Sequence, residues 1–287
     1  MYQKLLNDWR ENKDQESKEA LCKFLDGDLF LDIPYAERNA GWITASKLKA
    51  FDENEIYAKY EYIDLQPPPV TEETDAMLIG TAVDDVLTRG EKYFEASYKV
   101  MAKRTDEDLG RVQITNSMYA KIKEAVREYR ANPYFPQGIE KKTIIWLAYG
   151  KYPCKAELDF FNYGVEFGDL KTIANVDTAE PMRYYLTSMS FYFGGIMEEY
   201  MQKLPGRIFA VDKYTGYSRS EQWRFGVKTL EQNQGHINNL IQRWVSAAET
   251  GIYQVPDMTT KEGRMKMRAS SYYLTCPFAR AATPIEL

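Results

Sequence analysis

KAELDFFNYGVEFGDLKT, residues 155–172, reads as two strands joined by a turn. KAELDFF and VEFGDLKTI alternate with period two, and Asn162-Tyr163-Gly164 between them supplies turn residues. Side chains two apart on a strand share a face, so Lys155, Glu157 and Asp159 line one face of the first strand, and Asp169 and Lys171 line one face of the second. The turn lays the strands side by side, which lets Asp159, Asp169 and Lys171 converge at one end of a sheet. Two carboxylates held together repel unless something compensates them. With a lysine beside them they suit Mg²⁺, which takes hard oxygen ligands and often uses one or two carboxylates with phosphates and waters. The lysine then orients or activates a water for in-line attack on a phosphodiester. An amphipathic hairpin with a solvated charged face has the same pattern. Against that reading, Asp159 lies between Leu158 and Phe160-Phe161, and Asp169 and Lys171 lie among Phe167, Leu170 and Ile173, where unpaired charge is costly.

Outward from the hairpin, KTIIWLAYG before it is β-branched and aromatic, the composition of a further strand. After it come an aromatic-rich helix over about 179–203, strands in RIFAVDKY and QWRFGVK, and a long helix over about 229–249. Upstream the pattern is helical. One helix is expected over about 2–24, and another from near Thr44, capped by Thr44 or Ser46. A third runs through DAMLIGTAVDDVLTRG with Met77, Leu78, Val83, Val86 and Leu87 on one face and Gly90 ending it, and a fourth stops before Pro133. Pro67-Pro68-Pro69 breaks the chain between the second and third. The expected architecture is an α/β fold, a central mixed β-sheet with a catalytic hairpin flanked by helices. Residues 1–40 are expected to form a helical extension, 41–255 the core, and 256–287 an irregular tail.

Composition narrows the function. The 287 residues are 44% hydrophobic and 28% charged, which excludes disordered and collagen-like classes. No stretch approaches the roughly 18 apolar residues of a membrane helix, so no membrane partner is expected. Cys22, Cys154 and Cys276 form no paired spacing, and reduced thiols in a cytoplasmic protein are expected. The one histidine, His236, lies in a polar helical stretch and reads as solvated, so hydrolytic chemistry falls to carboxylates and lysine. With 37 basic against 42 acidic residues the net charge is −5, which argues against coating nucleic acid through overall charge but allows a local groove. Lys103, Arg104, Lys141 and Lys142 are candidates for phosphate contacts, and Tyr184, Tyr185, Phe191, Tyr192 and Phe193 for stacking on bases. Each aromatic also fits a helix packed on the sheet.

Asp159, nine residues, then Asp169-Leu170-Lys171-Thr172 resembles the PD-(D/E)xK nuclease superfamily, whose core is the restriction-endonuclease-like fold. The D-L-K-T form is most similar to the phage and prophage RecE-like recombination exonucleases, relatives of lambda exonuclease and the RecB nuclease domain. ITASKLKAFDENEIYAKY (43–60), LIGTAVDDVL (78–87) and SMSFYFGGI (188–196) are similar to further segments of that group, so the resemblance spans about 43–200. It implies a Mg²⁺-dependent exonuclease (Mn²⁺ serving as well) acting on double-stranded DNA ends. An annealing protein as partner, a homo-oligomer, and a bacterial or phage-infected cytoplasm are implied with it. Asp84, Asp159, Asp169 and the Leu170 carbonyl would ligate metal, and Lys171 would serve the attacking water. The group's histidine falls at Asp84 and its glutamine at Ser188, with Tyr192 retained; Glu140 and Glu157 are further acids near the site. The same fold leaves open an endonuclease or RecB-like nuclease module, and those departures leave open a catalytically impaired DNA-binding subunit.

Overall fold

A computed structural model describes residues 2–25, 39, 41–62, 74–105, 110–136, 141–254, 259–261 and 263. The expected proline break at 67–69, Glu140, Cys276 and nearly all of the expected C-terminal tail lie outside them. The N-terminal stretch forms two helices, α1 (Tyr2–Asn12) and α2 (Gln15–Leu25), rather than one. Lys13 between them has φ 55°, and Asp14 Oδ1 accepts the Ser17 amide at 2.7 Å, which ends one helix and caps the next. The second expected helix divides likewise, into α3 (Ala45–Glu53) and α4 (Glu55–Tyr62) around the extended Asn54. Thr44 is the cap of α3, accepting the Lys47 amide at 3.4 Å.

Helix α5 (Asp75–Arg89) is capped by Thr74 and ends at Gly90, whose φ of 88° a side chain would oppose. Its buried face is Leu78, Ile79, Ala82, Val83 and Val86, whereas Met77 points to solvent. Helix α6 (Glu91–Ser97) then leads into β1 (Tyr98–Met101), which pairs in parallel with β2 (Val112–Thr115). These two strands carry no sequence signal, because four residues are too few for a period-two pattern. Thr115 closes β2 and caps α7 (Asn116–Ala131) at once.

The sheet region begins with the antiparallel hairpin β3 (Lys142–Ala148) and β4 (Tyr152–Leu158). Asp159 breaks the strand, and β5 (Phe160–Asn162) continues it into a second antiparallel hairpin with β6 (Glu166–Ile173). β6 pairs in parallel with β7 (Gly206–Asp212), and β7 pairs antiparallel with β8 (Ser220–Phe225), giving a four-stranded mixed sheet β5-β6-β7-β8. Parallel neighbours need a crossover, and α8 (Pro181–Tyr200) supplies it; α9 (Val227–Thr250) follows β8. Along β7, Ile208 joins the core made with α3, α8 and α9, while Phe209 and Val211 join the core made with α5 and α7. The sheet is thus covered on both faces, as the unbroken apolar run Ile208, Phe209, Ala210 and Val211 of β7 requires. A third cluster packs Leu6, Trp9 and Leu21 of α1 and α2 against Trp42 and Ile145.

Candidate active site

The β5–β6 hairpin fixes the first carboxylate through the backbone. The Asp159 amide donates to Gly168 O at 3.2 Å, and Asp159 Oδ2 accepts the Leu170 amide at 2.7 Å. The N–H and C=O of one strand residue face the same edge, so the Leu170 carbonyl points to the side on which Asp159 sits. Asp169, 5% exposed, ion-pairs with Lys171 Nζ at 2.5 Å across the period-two spacing. Its carboxylate also reaches hydrogen-bonding contact with that of Asp159.

Asp84 enters from α5. A Cβ on Gly80, one turn earlier, would lie 3.0 Å from Thr172 Oγ1, so glycine there lets α5 approach β6 closely. Asp84 Oδ2 ion-pairs with Lys141, immediately before β3, and Asp84 Oδ1 is buried without a hydrogen-bond partner. Behind the cluster, Tyr129 of α7 donates its hydroxyl to Lys171 O at 2.9 Å, holding the end of β6.

The electrostatics follow from this crowding. Burial, then the charge of Asp159, pushes Asp84 up to about 6 against the pull of Lys141. Burial, then Asp169, pushes Asp159 up to about 8, with Lys171 and Lys141 opposing. Burial works against the charge on Lys171, but Asp169 and Asp159 outweigh it and raise its pKa above the ordinary lysine value. Burial and then the three carboxylates raise Tyr129 well above an ordinary phenol.

Among the described residues no three His, Cys, Asp or Glu side chains already form a chelating set. The chemistry of the donors nonetheless fits a hard divalent cation. Asp84 Oδ1 is an orphaned buried oxygen, the donors are all oxygens, and burial followed by mutual repulsion raises Asp84 and Asp159, a cost that a doubly positive ion would offset. Asp84, Asp159, Asp169 and the Leu170 carbonyl would hold the ion.

Other expected residues fall elsewhere. Glu157 ion-pairs at 2.7 Å with Lys155, which is buried over Trp42 on the N-terminal side, and the Glu157 charge is felt by Tyr2. Tyr192 packs against the apolar core, and Ser188 is partly buried on α8, one turn beyond Tyr185. Arg104 ion-pairs with Asp75 at 2.7 Å, Lys103 is exposed, and Lys142 opens β3 partly buried. Lys141, read from sequence as a phosphate contact, is the partner of Asp84. Phe191 and Phe193 are fully buried core, not stacking surface. His236 is exposed, with Nε2 3.2 Å from Asp52 Oδ2. Sequence reasoning missed Tyr129, because nothing local marks which tyrosine of a helix reaches a distant strand. A cavity of about 640 Å³ between α5, α6 and α7, floored by Val86, Phe94 and Ile122, lies apart from the carboxylates. Its acids, Glu91 and Glu95, are exposed, and Glu91 is paired with Arg130 at 3.1 Å, so the chemistry is assigned to the buried β6 cluster.

A mixed sheet covered by helices, carrying an aspartate at a strand break and Asp-x-Lys on the next strand, is the architecture of a PD-(D/E)xK-type core. The chain belongs to the family described as "PDDEXK-like domain of unknown function (DUF3799)", which matches residues 44–255. Its fold is similar to a crystal structure from Eubacterium rectale designated a "Putative exonuclease". That likeness has a TM-score of 0.62 at 15% identity and covers 89% of this chain and 93% of that one. No curated protein matches the chain. No helix among the described residues is long and apolar enough to cross a membrane.

Proposed function

We propose that this protein is a divalent-metal-dependent deoxyribonuclease acting from duplex ends, an exonuclease of the RecE-like kind. The observation that carries the reading is the convergence of Asp84, Asp159 and Asp169 beside Lys171, with one buried carboxylate oxygen left unpartnered. The membership of the PDDEXK-like family supports nuclease chemistry, and the designation of the Eubacterium rectale protein supports the exonuclease form.

When bound, a divalent ion supplies Lewis-acid stabilisation of the oxygens around the scissile phosphorus. The chain's own residues do the rest. Asp159 is held in place by the Leu170 amide, so its carboxylate keeps one direction. Asp169 holds Lys171 as an ammonium, so Lys171 donates a hydrogen bond that orients the attacking water and balances charge on the phosphate. Tyr129 fixes the Lys171 backbone, which limits where that ammonium can reach.

The test is degradation of linear against covalently closed circular duplex DNA, each with Mg²⁺, Mn²⁺ or EDTA. Metal-dependent loss of linear DNA alone is the expected result. Cutting of the circle replaces the exonuclease reading with an endonuclease. The Lys141–Asp84 pair favours one other reading, a non-catalytic DNA-binding subunit, because a lysine already neutralises the aspartate that stands where the group's histidine falls. Binding without cleavage of either DNA under all three conditions would establish that instead. Assembly into a homo-oligomer and hand-over to an annealing protein belong to the same proposal, and sedimentation of the full chain tests the first.

A further inference from the structure

The first turn of α8 lies where β6 delivers Lys171, and it presents two consecutive tyrosines with different surroundings. Tyr185 turns inward, its ring stacked on Trp223 of β8 with centroids 6.0 Å apart and planes 20° apart. Its hydroxyl lies in the field of Lys171 and Asp169. Tyr184 turns outward and is 45% exposed, although the other aromatics of this helix named above are wholly or partly buried. Two cations flank its ring: Lys49 Nζ of α3 at 5.6 Å from the centroid and the Arg183 guanidinium at 5.5 Å. Arg183 also bonds Glu180 at 3.0 Å, so Lys49 is the less compensated of the two.

An exposed aromatic face contributes nothing to the core, and leaving it in water forgoes burial. Set between cations, it matches the chemistry by which unpaired nucleic-acid strands are held: bases stack on the ring, and phosphates meet the flanking charge. Duplex cannot use such a surface, because its bases already stack on each other. We infer that Tyr184, Lys49 and Arg183, continued inward by the Tyr185–Trp223 stack, form a ledge that holds an unpaired DNA strand leading to Lys171. The destination of that strand rests on the nuclease reading above; its binding does not. The ledge selects frayed or single-stranded ends over intact duplex.

Fluorescence anisotropy with a labelled oligothymidylate and a labelled closed dumbbell duplex, both in EDTA, tests this without cleavage. The unmodified protein should bind the oligothymidylate. Tyr184→Ala should weaken that binding about tenfold or more, while Tyr184→Phe, which keeps the ring, preserves it. Lys49→Ala should weaken it and reduce its salt dependence. Dumbbell binding should change by less than about twofold in each case. Thermal unfolding of Tyr184→Ala should match the unmodified protein, since the ring is exposed. No oligothymidylate binding, an unaffected Tyr184→Ala, or equal losses on both DNAs would overturn the ledge. Lys171→Ala separates the two proposals. Retained cleavage in that variant defeats the nuclease mechanism and leaves the anisotropy result standing.

Discussion

Asp159 and Asp169 share hydrogen-bonding contact in a site that burial makes costly for charge, and Lys171 offsets only part of that cost, so Asp159 keeps its proton up to about pH 8. Lys171→Ala and Asp169→Asn should each reduce metal-dependent cleavage by about a hundredfold or more while DNA binding in EDTA persists. The pH dependence of stability has a definite sign. Asp159 has a folded-state value of about 8, above the ordinary carboxylate range. A raised value means the folded state holds the proton more tightly, so this contribution is complete below about pH 4 and is lost as pH rises through about 8. Asp84, at about 6, adds in the same direction. Metal-free protein should therefore melt lower as pH rises across that window, and Asp159→Asn should flatten the fall. Mg²⁺ should raise the melting temperature more near pH 8 than near pH 5, because the ion binds the deprotonated carboxylates. Equal Mg²⁺ shifts at both pH values would remove Asp159 from the ligand set.

At the scale of elements, the catalytic strand is held by close packing beside Asp169. A Cβ on Gly168 would lie 2.2 Å from both Arg207 O and Phe160 Cζ, so the ring of Phe160 covers this glycine across the hairpin. Gly168→Ala should destabilise the fold by about 1–3 kcal/mol or more and lower cleavage as well, because any shift of β6 moves Asp169. Gly195→Ala, whose Cβ would meet Trp146 Cζ3 at 2.6 Å on the far side of α8, is the comparison. It should cost comparable stability in denaturant titrations with a smaller loss of activity per molecule folded. The helix breaks at Lys13 and Asn54 belong to this scale too. Hydrophobic periodicity runs through both points, and only the backbone hydrogen bonds show that each helix ends and restarts.

For the whole molecule, the N-terminal helices are part of the packed body. Trp9, 3% exposed, stacks on Trp42 with centroids 5.8 Å apart, and the cluster includes Ile145 of β3. Trp9→Ala should lower unfolding free energy by about 3–5 kcal/mol, read from denaturant melts. A null effect would mean these helices are not docked in solution. The net charge of −5 gives no general pull on DNA, so affinity has to come from local cations such as Lys49. Binding should weaken with salt by a shallow slope, reflecting few phosphate contacts.

The sequence by itself determined the mixed α/β fold, the hairpin, and the sharing of a strand face by Asp169 and Lys171. Those follow from local rules, since alternation, turn residues and caps act within a few positions. It also placed Asp84 on a helix with a glycine one turn earlier, and through resemblance pointed that residue at the metal. Tertiary structure alone decided that Lys141 pairs with Asp84, that Glu157 goes to Lys155, that Tyr129 holds the end of β6, and that Tyr184 is exposed while Phe191 and Phe193 are core. Each of these depends on which helix packs against which strand. A side chain's partner across such a contact is set by long-range packing, which leaves no periodic trace in the chain.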